Sequence, residues 1–338
     1  MKTSSNRILP GLVILALVSG TVASLADIQV RLSVKFIHSS NGTAPAGGIS
    51  TSIGFGNEVT RGNSVLVAAG RGYKLVVVEY LDIQPPAPPG MAADYWFTLD
   101  ARSNRQTFEN AALADTTTWR WNANAINIYV NNSSSGQCSL VGQGGAISLG
   151  GSVGAGTVLH EVGHVFDLLH THAGDYSDNN NAPPYILRDG DGLTETAPDN
   201  PNIPDHDQLS QALYGLDYSA ATAQQQAVVD SDFENVMSYH NENRLLSDQM
   251  DKWTLNANGA RVGFCSGRTW FVAIGGSDSS SGASASSPLA TVAGALAKVS
   301  SQDDVVLLLS GSFGAPSGGI ITTPCTLRAK GGTVTLHR

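Results

Sequence analysis

The chain of 338 residues is long enough for two domains with substantial cores. Charged residues make up only 14% of it and glycine fills 37 positions, a low-charge, turn-rich composition that suits an exported protein. A formal net charge of -9, with no run of Lys and Arg, argues against a nucleic-acid partner, because neutralising phosphates takes clustered cations.

Residues 1–26 read as a secretory signal peptide. Lys2 and Arg7 flank the start of an apolar run over 8–18, and the small residues Ala23, Ser24 and Ala26 follow it. That run is shorter than the roughly 20 residues that span a bilayer, and no later stretch is long and apolar enough, so no membrane span is expected. The mature chain is expected to start near Asp27. From 28 to 37, Ile28, Val30, Leu32, Val34 and Phe36 alternate with polar residues, which predicts a half-buried strand. Over 50–69, Phe55, Val59, Leu66 and Ala69 keep helical spacing until Gly70 and Gly72 end it. Further strands are predicted at 74–83, 95–99 and 125–130, the first closed by a Pro-rich loop over 84–90. Such an order belongs to a twisted sheet with helices packed on it. The glycine-rich stretch 142–151 contains a short apolar segment, Ala146, Ile147, Ser148 and Leu149, readable as a flexible loop or a strand.

Next comes the stretch on which function turns, over 160–170. On a helix, His160 and His164 stand four residues apart and project from one face, where both imidazoles can grip one metal ion. Glu161 lies beside them, placed to take a proton from bound water and return it to a leaving amine. A catalytic zinc site normally has three protein ligands and one exchangeable water, and His170 supplies the third. For it to reach the same ion the chain must turn sharply near Asp167, and aspartate is among the few residues besides glycine that tolerate a left-handed backbone. His172 is read as a loop residue.

These letters resemble the metzincin clan of zinc endopeptidases, whose signature H-E-x-x-H-x-x-G-x-x-H is matched everywhere except at Asp167 in place of glycine. The resemblance implies Zn²⁺ on His160, His164 and His170, Glu161 as general base, and a protein or peptide substrate. It also implies a methionine turn under the metal at Met237, in Asn235-Val236-Met237-Ser238-Tyr239, and a Tyr239 hydroxyl that stabilises the oxyanion. Ala146, Ile147, Ser148 and Leu149 fall where the clan has the edge strand above its cleft, which holds an extended peptide by strand addition. Within the clan, the pappalysin-like family is the nearest in look, through Ile126-Asn127-Ile128-Tyr129-Val130, Gly190-Asp191-Gly192-Leu193 and Met237-Ser238-Tyr239. The likeness runs over roughly 28–265.

Past His170 the chain turns acidic, with Asp175, Asp178, Asp189, Asp191, Glu195 and Asp199 among glycines and asparagines. Hard oxygen donors so spaced suit Ca²⁺, and a solvated acidic loop suits them equally. Cys138, Cys265 and Cys325 allow one disulfide, with Cys138 to Cys265 as the pairing that encloses the histidine segment. From 269 on, short strands at 270–274, 305–309, 320–322, 325–327 and 333–336, a helix-like 288–299 and Gly-rich turns resemble the opening coils of a right-handed parallel β-helix.

The expected fold is α+β with an α/β upper half. A metzincin-like zinc protease domain with a twisted sheet and active-site helix occupies 27–266, and a small β-rich segment resembling parallel β-helix coils occupies 267–338. The expected function is a secreted zinc-dependent endopeptidase. The alternative is a surface carbohydrate-binding or adhesive protein that uses the tail, with an accessory metal-binding domain.

Overall fold

A computed structural model describes residues 27–134, 136–138, 144–174, 176–240, 243–315 and 321–337; the expected signal peptide lies outside the described residues. Strand β1 (Ile28–Ile37) leads through helix α1 (Ser52–Ala69) to β2 (Tyr73–Ile83), which lies parallel to it. The Thr51 hydroxyl caps α1 by accepting from the Gly54 N–H. The helix stops at Gly70, whose φ of 72° favours a residue without a Cβ. Short helices α2 (Tyr95–Thr98) and α3 (Arg105–Ala114) precede β3 (Ile126–Asn131), β4 (Gly136–Cys138) and β5 (Ala146–Gly150). The sheet order is β2-β1-β3-β5-β4, parallel except for β4. Helices α4 (Thr157–Val165), α5 (His206–Tyr214), α6 (Ala223–Phe233) and α7 (Ser247–Asn258) follow. A second, three-stranded parallel sheet stacks β6 (Thr269–Val272), β7 (Val305–Gly314) and β8 (Thr326–His337), with α8 (Val292–Leu296) between the first two in sequence. The architecture is therefore mixed α/β with parallel sheets.

Several expectations change. β1 is buried on both faces from Leu32 to Ile37, because it is an interior strand with a core on either side. On one face Val30, Leu32 and Val34 meet Phe55, Leu66, Leu159, Val162 and Trp253. On the other an aromatic cluster gathers Trp96, Phe108, Trp119 and Tyr129. The strand expected at 95–99 is the short helix α2: Trp96 docks into that cluster, and the Asn131 amide donates to the Trp96 and Leu99 carbonyls at 3.0 and 2.6 Å, fixing a turn. Ala146, Ile147, Ser148 and Leu149 do form a strand, β5, yet it lies between β3 and β4, so the edge is β4. Cys265 is a buried free thiol and Cys325 is also free, which removes the expected Cys138 to Cys265 disulfide.

In the tail, helix α8 covers only part of 288–299, residues 325–327 and 333–336 merge into the single strand β8, and 321–322 is not a strand; Ile320 lies outside the described residues. The segment is anchored to the first sheet. Gln29 and Ser266 exchange hydrogen bonds, the Tyr73 hydroxyl meets Thr269 at 3.3 Å, and Val305 packs in the larger core. Arg328 pairs with Asp27 at 2.6 Å and Lys330 with Asp251 at 3.0 Å.

Candidate metal centre

Helix α4 delivers two of the three histidines on one buried face. Its last turn is closed by Phe166 N–H to Gly163 O at 3.0 Å, Asp167 N–H to His164 O at 2.9 Å and Leu168 N–H to Gly163 O at 3.1 Å. Asp167 takes a φ of 68°, so the sharp turn falls where the sequence placed it. Its carboxylate lies 3.5 Å from Lys252 on α7, which ties the turn to a neighbouring helix. The chain then folds back and brings His170 to the pair.

The three Nε2 atoms converge: His160 to His164 and His160 to His170 are 3.1 Å apart, and His164 to His170 is 2.9 Å. Two of the rings are oriented through their other nitrogen. His160 Nδ1–H donates to the Val236 carbonyl at 2.7 Å, and His164 Nδ1–H donates to the Leu168 carbonyl at 2.6 Å. That tautomer leaves bare Nε2 lone pairs facing one another, an arrangement that repels itself without a cation between them. A divalent ion about 2.0–2.1 Å from each nitrogen suits these separations, so the donor set fits zinc. Burial, reinforced by the neighbouring imidazoles, pushes His160 down to about 3. Burial likewise pushes His164 down to about 4 and His170 well below its ordinary value, so all three are neutral ligands at neutral pH.

Met237 is wholly buried beneath the site. A Cβ built on Gly163 would stand 2.8 Å from Met237 Sδ, so glycine at that position is what admits the sulfur. The turn that carries Met237 is latched by Asn235, whose amide exchanges hydrogen bonds with the Gln249 side chain at 3.1 and 3.0 Å. Tyr239 places its ring 4.7 Å from that of His170 and 5.9 Å from that of His160. His172 stacks on His170 at 4.9 Å, outside the triad. Glu161 is buried on α4, and its Oε1 lies 3.7 Å from a Cβ built on Gly136 of β4. The edge strand bordering the acid is thus β4. Sequence reading missed Gly136, Gly163 and the two orienting carbonyls, because a backbone acceptor has no letter of its own.

Among the described residues, the histidine triad is the one group of three or more His, Cys, Asp or Glu side chains whose ligand atoms all come within 4.8 Å of one another. The expected calcium ligands do not gather in that way; Asp175 lies outside the described residues. Asp189 accepts from the Asp191 and Gly192 N–H groups, Asp191 from Leu193 N–H and Thr196, and Asp199 from Thr171, with His240 at 3.0 Å. They shape turns.

No family model matches the sequence, and no curated protein matches it. Among solved structures, the chain is similar to metalloproteinase-II from Bacteroides fragilis, at 13% identity and a TM-score of 0.29 over 44% of this chain and 45% of that one. It is also similar to a chaperone-substrate complex, at 14% identity and a TM-score of 0.31 over 64% of this chain and 36% of that one. The chain thus spans under half the length of either, and likenesses at these scores bear on neither fold nor activity.

Proposed function

We propose that this chain is a secreted zinc-dependent endopeptidase of the metzincin kind, pappalysin-like, with its catalytic unit over 27–266 and the start of a β-helix over 267–338. The observation that carries the reading is the convergence of three neutral Nε2 donors within 3.1 Å, two of them aimed by backbone carbonyls. Zinc held there would lower the pKa of a bound water to about 7 and polarise a substrate carbonyl.

The remaining roles belong to the chain's own side chains. Glu161 takes the proton of the attacking water and passes it to the departing amine. The Tyr239 hydroxyl donates to the developing oxyanion, and its ring already packs against two of the histidines. Met237 fills the floor and keeps the triad from settling. An extended peptide adds along the outer edge of β4, whose Gly136 borders Glu161; the register of β4 on β5 leaves the other edge of β4 for it. Export agrees with residues 1–26, and no helix among the described residues is long and apolar enough to cross a membrane.

Replacing Glu161 with alanine tests the assignment. The variant is expected to bind zinc with the affinity of the parent and to lose casein cleavage by at least about a hundredfold. Undiminished cleavage would show that another group is the base, and a parent chain that binds no zinc would end the reading altogether.

A further inference from the structure

His160 and His164 are aimed by backbone carbonyls through Nδ1, whereas among the described residues nothing bonds Nδ1 of His170, the half-buried member of the triad. Its place is set through the next residue. Thr171 is wholly buried: its N–H donates to the Met237 carbonyl at 3.2 Å, its carbonyl accepts from Gly190 N–H at 3.0 Å, and its hydroxyl donates to Asp199 Oδ2 at 3.1 Å. The segment behind it fits closely, since a Cβ built on Gly190 would stand 2.5 Å from the His170 carbonyl oxygen.

Asp199 is where two sets of contacts meet. Its backbone pairs with Arg188 in both directions, at 3.0 and 3.2 Å, and its side chain is wholly buried. Oδ2 takes the Thr171 hydroxyl, while Oδ1 accepts from Asn200 N–H at 2.6 Å and from His240 Nε2–H at 3.0 Å. The His240 ring stacks on Phe233 of α6, with centroids 4.5 Å apart, and follows Tyr239 in the chain. One carboxylate thus reaches the residue after the third metal ligand and the residue after Tyr239, whose ring lies 4.7 Å from that of His170. A buried carboxylate holding three donors is a stiff joint, because releasing any of them leaves charge without water or a partner.

We propose that Asp199 is a positioning residue for the metal centre, holding His170 through Thr171 and Tyr239 through His240. The first arm concerns metal binding alone; the second rests on the endopeptidase reading.

Zinc affinity, measured by competition with a chromophoric chelator, and the visible spectrum of the chain loaded with Co²⁺ test the first arm without turnover. Thr171→Val keeps the shape of the side chain and removes the donated hydrogen bond. It and Asp199→Asn should each weaken zinc by about tenfold to a hundredfold and shift the Co²⁺ bands. Lys35→Met, a change remote from the metal, should keep the parental affinity and spectrum. For the second arm, His240→Leu should lower kcat on a casein-derived peptide by about tenfold with KM and zinc affinity kept, because a hydroxyl that bonds the oxyanion acts in the transition state. His240→Gln, whose amide donates from a similar place, should restore most of that loss. Should Asp199→Asn fail to fold, Thr171→Val and His240→Leu decide. Parental affinity and spectrum in Thr171→Val and Asp199→Asn would overturn the proposal, as would an equal loss in Lys35→Met. A parental kcat in His240→Leu would strike the second arm. A parent that binds zinc yet cleaves nothing would end the endopeptidase reading and the second arm with it, while the first stands or falls on affinity and spectrum.

Discussion

The two edges of the main sheet bury polar side chains in opposite ways. Beside β4, three imidazoles, two of them buried and one half-buried, bring their Nε2 atoms within 3.1 Å of one another, an arrangement that could hold a metal ion. Toward β2, a lysine is buried equally deeply, and the chain answers it from within through Ser33, Asn127 and Glu79. Burial of a polar group is thus no sign of function by itself. What distinguishes the two is whether donors and acceptors close on one another, as around Lys35, or converge on a single point, as the three Nε2 atoms do.

The largest effect that would sharpen this contrast is removal of the metal. Chelation should lower stability by about 4 kcal/mol where the free ion stands about a thousandfold above its dissociation constant, read as a fall in Tm. The metal-free chain should weaken further as pH drops below 6.5. Unfolded imidazoles bind protons near 6.5, whereas buried His160 and His164 take them up only near 3 and 4, so the unfolded state gains protons first. A chelator-insensitive Tm would break the comparison.

Lys35→Met is the matching test on the other edge. Replacing the lysine alone leaves Ser33 and Asn127 Oδ1 without its donor and Glu79 without its cation, so stability should fall by about 3 kcal/mol, as when one partner of a buried pair is removed. Burial pushes Lys35 down to about 7, against 10.5 in the unfolded chain, with the Glu79 charge opposing the shift. Between those values the folded state holds fewer protons, so parental stability should rise with pH by up to about 1.4 kcal/mol per unit. Urea melts near pH 7.5 and 9.5 should show that slope in the parent and its loss in Lys35→Met; parallel slopes would show that Lys35 stays charged.

A smaller change is expected from Gly163→Ala. Its methyl group would meet Met237 Sδ at 2.8 Å, and overpacking of this kind costs about 1–3 kcal/mol, with zinc affinity falling alongside. Smallest of all is Asp167→Gly. It relieves a left-handed aspartate but gives up the Lys252 contact, so stability should move by less than about 1 kcal/mol and activity should be kept or raised. Total loss of cleavage in this variant would give Asp167 a role of its own.

Much of the site was readable from spacing alone. His160 and His164 lie one helical turn apart, and Asp167 sits where the chain had to reverse. Helices α5 and α6 escaped notice although their caps were in plain letters, Asp205 accepting from Gln208 and Thr222 paired with Gln225 in a capping box. Aromatic residues at 95–99 suggested a strand, and the pull of Trp96 into a cluster drawn from β1, β2, α3, β3 and β5 overrode that local preference. Glycine and cysteine were the least readable letters: Gly136 and Gly163 matter for what stands opposite them, and Cys265 stays a thiol in the core.

By itself, the sequence determined which atoms are able to bind a metal, because three imidazoles and the Glu161 carboxylate within eleven residues are a local property of the chain. Only the tertiary structure decided which nitrogen of His160 and His164 faces inward, which strand is the free edge beside Glu161, and that Lys35 meets its partners across three strands. Those outcomes depend on carbonyls and side chains distant in the chain, such as Val236 with His160, and hydrogen bonds of that reach are selected by how the layers pack.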